Sequence, residues 1–101
     1  MYLRDRIVFD EDRRRAVLER RGVDLLKAVL VLAGPTLTIV DKKKDYGEER
    51  YIATGEIAGE FYTIVYTTDA RSVRIITAWR AGRPARHRYQ EYLRSGTASD
   101  A

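Results

Sequence analysis

The order of patterns in this chain predicts an α+β fold, on three observations. Leu25, Ala28, Val29 and Leu32 recur at i, i+3, i+4 and i+7, the spacing of a helix with one buried stripe. Residues 36–80 hold segments rich in β-branched and aromatic residues, separated by turn residues. Gly82 and Pro84 then break the pattern before a basic amphipathic stretch. Two N-terminal helices, a four-stranded antiparallel meander and a C-terminal helix follow, with a short strand at the N-terminus.

Each element has a local reason. Ile7-Val8-Phe9 reads as the short first strand. Asp10 can cap a helix running to Arg21, with Glu11 and Asp12 against its N-terminal dipole and Gly22 as a left-handed C-terminal cap. That helix is mostly charged and belongs on the surface. Only Ala16, Val17 and Leu18 are left for packing. Asp24 caps the second helix, where Leu26 and Leu30 widen the apolar stripe and predict a largely buried element. Gly34-Pro35 ends it. Thr36 to Val40 is a strand, and Asp41 to Asp45, with Lys42-Lys43-Lys44, is a charged loop. Tyr51 to Ile57 and Phe61 to Thr67 are strands joined at Ala58-Gly59 as a hairpin. Asp69-Ala70-Arg71 turns into a strand from Val73 to Arg80. The last helix runs from Pro84 to about Leu93, with Ala85, Tyr89, Tyr92 and Leu93 on one face. Residues 1–94 are expected to form one domain and residues 95–101 a fraying tail.

Composition excludes several classes. No cysteine is present, so disulfides, thiolate metal sites and cysteine nucleophiles are out. No metal-ligand spacing, glycine-rich phosphate loop or nucleophile elbow occurs, and no cofactor is expected. The first residues lack an apolar core of the signal-peptide kind, and the longest apolar run, Ala28 to Ala33, is too short to span a bilayer. A cytoplasmic protein without membrane contact is the expectation. A net charge of +4 favours an anionic partner, either nucleic acid or an acidic protein.

Charge is concentrated near the C-terminus. From Arg71 to Arg94 there are seven arginines and one acid, Glu91. Strict alternation on the fourth meander strand puts Val73, Ile75, Thr77 and Trp79 on one face, read as core. It puts Ser72, Arg74, Ile76, Ala78 and Arg80 on the other, read as a working surface. Arg83, Arg86, His87 and Arg88 extend the positive patch onto the last helix. Arginine forks match phosphate oxygens and draw RNA or DNA. The bland reading is that these are solvated charges and that His87 is a surface histidine with no role. The tyrosines at 46, 51, 62, 66, 89 and 92 could stack on bases or form the rim of the core. The lysine run is either solubilising or electrostatic in RNA approach.

Several short motifs occur in order: Phe9-Asp10, Arg20-Arg21-Gly22-Val23, Glu48-Glu49-Arg50-Tyr51, Val65-Tyr66-Thr67 and Arg74-Ile75-Ile76-Thr77-Ala78. Together they resemble the BrnT toxins of bacterial type II toxin–antitoxin pairs, over roughly Phe9 to Tyr92. The resemblance implies a RelE-like fold and a ribonuclease that halts translation. It implies neutralisation by a BrnA antitoxin whose ribbon-helix-helix part binds DNA. Metal-independent RNA cleavage needs a base for the 2′-hydroxyl, an acid for the leaving oxygen and cations for the phosphorane. On that reading the catalytic set is Glu48, Glu49, Arg50, Arg74 and Arg80, with either glutamate as base. Arg83, Arg86 and His87 are the RNA-binding set. The sequence departs from the family pattern at Arg21 (usually histidine), Val17 (usually asparagine), Trp79 (usually basic) and Arg83-Pro84-Ala85 (usually basic-basic-Glu). Those departures motivate the alternative of a catalytically inactive toxin-fold protein that binds an antitoxin or RNA.

Overall fold

The computed structural model describes residues 6–42 and 47–96. In chain order the elements are β1 (Arg6–Val8), α1 (Glu11–Arg21), α2 (Leu25–Leu32), β2 (Thr36–Asp41), β3 (Arg50–Ile57), β4 (Glu60–Thr68), β5 (Ser72–Arg80) and α3 (Arg83–Ser95). The expected loop residues Lys43 to Asp45, Tyr46 and most of the expected tail lie outside the described residues. Ser95 belongs to α3, and Gly96 caps that helix in the left-handed conformation.

The α+β class holds, with one correction to the sheet. It has five strands in the order β1-β5-β4-β3-β2 and is mixed. Strands β2 to β5 form the antiparallel meander, while β1 lies parallel to β5, with Arg6 opposite Ser72 and Val8 opposite Arg74. The helices α1 and α2 carry the chain from β1 at one edge of the sheet to β2 at the other. Among the described residues no helix is long and apolar enough to cross a membrane.

Local chemistry accounts for the boundaries. The Asp10 carboxylate accepts from the Asp12 amide at 2.7 Å, and Gly22 closes α1 at φ 68°. Asp24 accepts from the Leu26 amide at the start of α2. Its two oxygens also take a fork from Arg14, at 2.8 and 3.0 Å, which ties α1 to α2. Arg14 holds the Asp24 carboxyl below its ordinary value, helped by the Leu26 amide. The β3–β4 turn places Ala58 and Gly59 both at positive φ, the two-residue geometry whose twist suits a hairpin.

One face of the sheet carries the core. Leu25, Ala28, Val31 and Leu32 of α2 cluster with Ala53, Ile64, Tyr66, Val73, Ile75 and Ala78. Gly55 sits under α2, where a Cβ would fall 2.7 Å from Val31 Cγ1. The stripe on α2 is narrower than its sequence suggests. Leu26 is 48% and Leu30 56% exposed, because only one side of the helix meets the sheet. On α1 the single buried side chain is Val17.

The largest departure from strict alternation lies in β5. Tyr66 pairs with Ile75 and Val65 with Thr77, so Ile76 is an extra residue in a bulge. The bulge reverses parity. Val73, Ile75, Ala78 and Arg80 share the α2 side, while Arg74, Thr77 and Trp79 share the other, as their cross-strand partners require. Both isoleucines of the Ile75-Ile76 doublet are therefore buried. The Arg13 guanidinium donates to the Ile76 carbonyl at 3.1 Å, satisfying backbone where β1 no longer flanks β5.

Candidate functional site

The face away from α2 is covered only in part, by α3, and it gathers most of the chemistry. Across its far end, cross-strand pairing sets Asp41, Arg50, Thr67 and Arg74 in one row over four adjacent strands. Arg50 and Arg74 are two strands apart, about 10 Å between backbones, so both guanidinium groups can reach one phosphate. The Glu48 carboxylate accepts from Arg50 Nε at 3.2 Å. Between the arginines the Thr67 hydroxyl donates to the Glu49 carbonyl at 2.8 Å, which fixes the strand entry. Arg74 also helps depress the carboxyl of Asp69, chiefly lowered by the Arg71 amide and Ser72 hydroxyl it accepts from.

The two adjacent glutamates are separated. Glu48 lies with Arg50, whereas the Glu49 carboxylate accepts from the Tyr51 hydroxyl on the α2 side. That hydrogen bond pushes the Tyr51 phenol up from its ordinary value. Tyr51 stacks on Tyr66 at 5.2 Å, and burial raises the Tyr66 phenol as well. Both rings therefore serve the core side.

Arg80 does not join the row. The bulge puts it opposite Tyr62 on the α2 side, at the other end of the sheet. It pairs with Glu60 at 3.3 Å and lies 5.8 Å from the Tyr62 ring centroid. The Glu60 carboxyl is lowered by the Tyr62 hydroxyl and by Arg80, and the Tyr62 phenol is raised by Glu60. The expectation that Arg74 and Arg80 share a surface is overturned by one inserted residue.

The basic residues of α3 divide between its sides. Arg83 is exposed at the first turn. Arg86 lies 5.2 Å over the Phe61 ring, at the end of the open face. His87 lies in a shallow outer depression with Gln90, Glu91 and Arg94. Tyr89 anchors the helix, its hydroxyl donating to the Pro35 carbonyl at 3.2 Å and its ring meeting Phe61 edge-on.

Between α3 and the sheet lies a groove of about 370 Å³, lined by Leu37, Ile39, Ile52, Thr54, Thr63, Trp79, Gly82, Pro84, Ala85 and Arg88. Trp79, read from alternation as core, is instead a half-buried wall of this groove, with the Arg21 guanidinium 5.0 Å over its ring. The sequence reading missed the groove because it is assembled from four strands and a helix. No local signal gave the bulge, since the Ile75-Ile76 doublet resembles the apolar run Ile64-Val65-Tyr66 of β4, which carries no extra residue. Among the described residues no group of three or more His, Asp or Glu side chains could hold a metal ion.

Comparison with known proteins agrees with the motifs. No curated protein matches the chain. A family model described as ribonuclease toxin, BrnT, of type II toxin–antitoxin system matches residues 9–84, from the residue after β1 to the first turn of α3. With most of its length matched, the chain belongs to the BrnT family of type II toxin–antitoxin ribonuclease toxins.

Proposed function

We propose that this protein is a metal-independent endoribonuclease of RelE-like design that halts translation. A BrnA-like antitoxin with a ribbon-helix-helix DNA-binding part would hold it inactive. The observation that carries the reading is the row Arg50–Thr67–Arg74 with Glu48 at its end, on the open face. A carboxylate beside two convergent cations is what transesterification of RNA needs. Glu48 takes the proton of a 2′-hydroxyl. The 2′-oxygen attacks phosphorus, the bond to the 5′-oxygen breaks, and that oxygen takes a proton from solvent. Arg50 and Arg74 stabilise the charge that grows on the phosphorane. Arg83 and Arg86 add phosphate contacts from α3, while His87 and Arg80 stand apart from this row.

The test is induction of the protein alone, with growth and RNA integrity followed over time. Purified protein is then incubated with RNA in excess chelator. Arrested growth and fragments ending in 2′,3′-cyclic phosphate are expected. Intact RNA with folded protein would sink the proposal. The competing reading is a toxin-fold protein that binds an antitoxin or RNA without cutting. It is favoured by Trp79, an aromatic ring on the open face where a basic side chain is usual in the family. A Trp79→Arg variant that cuts RNA while the natural chain does not would establish that second reading.

A further inference from the structure

The groove between α3 and the sheet is an apolar feature that the fold leaves uncovered on the face that carries Arg50 and Arg74. Its floor and walls are Leu37, Ile39, Ile52, Trp79 and Ala85. Ile39 is 57% exposed and Trp79 half-buried, so this surface stands in water at a cost. Its charge has one sign. Arg88 lines it, Arg21 lies on the Trp79 ring, and no acidic side chain is among the lining residues. An apolar slot with a cationic rim suits an amphipathic polypeptide bearing apolar side chains and flanking carboxylates. A nucleic acid would have to desolvate aliphatic walls that offer few hydrogen-bond partners beyond the Thr54 and Thr63 hydroxyls, which already face each other at 3.4 Å.

We propose that the groove is the seat of an acidic amphipathic segment of the antitoxin. Apolar side chains fill the space beside Ile39, Ile52 and Trp79, and carboxylates pair with Arg21 and Arg88. The inference rests on the toxin–antitoxin reading and adds the place and chemistry of the contact. It also explains neutralisation. Four residues along a strand separate the Trp79 row from the Arg50–Arg74 row, about 13 Å, so an occupant of the groove lies across the path of RNA on the same face.

Trp79 is the single tryptophan of this chain, so the tryptophan emission of the toxin reports on the groove, and a matched titration of the antitoxin alone is subtracted. The experiment titrates the toxin with its cognate antitoxin, the product of the partner gene, and follows Trp79 fluorescence and calorimetric affinity. Saturable blue-shifted emission is expected. Ile39→Glu and Arg88→Glu should each weaken binding at least tenfold without changing the melting temperature, and Arg88→Glu should flatten the salt dependence. Leu26→Glu and Leu30→Glu alter exposed leucines on α2 and should bind like the natural chain. Tight binding with unchanged emission, insensitive to Ile39→Glu and Arg88→Glu, overturns the groove while leaving the toxin–antitoxin reading intact. Absence of any complex defeats that broader reading and the groove proposal with it. The third arm titrates a single-stranded DNA oligonucleotide as an uncleavable stand-in for RNA. If it shifts Trp79 emission and the antitoxin does not, the groove belongs to the substrate and the proposal is wrong.

Discussion

The α2 side and the open side of the sheet are drawn from alternate residues of the same strands, yet they are built under different constraints. On the α2 side Ala53, Ile64, Ile75 and Ala78 are fully buried, and Gly55 leaves no room for a methyl group beneath Val31. On the open side the buried residues include Thr54, Thr63 and Thr67, whose hydroxyls find partners, and the ends of the strands carry Asp41, Arg50 and Arg74. Close packing makes the first side the seat of stability. The second keeps polar and cationic groups where a ligand can reach them. Substitutions on the two sides should therefore separate stability from activity.

The largest effect is expected on the packed side. Ile75→Ala should lower the unfolding free energy by about 2–5 kcal/mol, read by chemical denaturation. A loss no greater than that of an exposed substitution such as Leu30→Ala would break the comparison. Next come the open-side arginines. Arg50→Ala or Arg74→Ala should each cut RNA cleavage roughly tenfold to a hundredfold, the worth of a charge-assisted contact of about 1.5–3 kcal/mol, with melting unchanged. Arg80→Ala, on the other side of the same strand, should keep activity within about twofold. Equal losses from Arg74→Ala and Arg80→Ala would mean that the bulge does not divide the site.

A smaller stability change is expected from Gly55→Ala, about 1–3 kcal/mol, as the added methyl group forces Val31 or α2 to shift. A neutral result would show that the packed side yields more readily than its geometry implies. The smallest effect concerns pH. The folded Asp24 carboxyl lies below its ordinary 3.8, owing first to the Arg14 hydrogen bond and then to the Leu26 amide. A lowered folded pKa adds stability above the unfolded value, and that contribution disappears as pH falls through the folded one. Asp24→Asn should therefore flatten the acid limb of the stability profile below about pH 4. An unchanged limb would show that the α1–α2 clamp contributes nothing to acid stability.

Much of this architecture was legible in the sequence because its causes are local. Asp10 and Asp24 as helix caps, Gly22 as a left-handed stop, the Ala58-Gly59 turn and Pro84 in the first turn of α3 all act within a few residues of themselves. Arg50 and Arg74 could be singled out because arginine in an ordered set of motifs is a chemical signal that needs no coordinates. The separation of Glu48 from Glu49 was not legible, since both precede β3 and their directions are set by the partners they find, Arg50 and Tyr51.

By itself, then, the sequence determined the succession of helices and strands, the buried Ile75, the basic C-terminal third and the family. Only the tertiary structure decided that β1 joins β5 in parallel and that Leu26 and Leu30 face outward. It alone decided that Arg80 and Trp79 exchange sides. The physical reason is the same in each case. Propensity, capping and turn geometry depend on adjacent residues, whereas partners, parity and burial depend on hydrogen bonds and packing between distant segments. One extra residue, Ile76, held where the Arg13 guanidinium meets its carbonyl, turns every side chain after it to the opposite face.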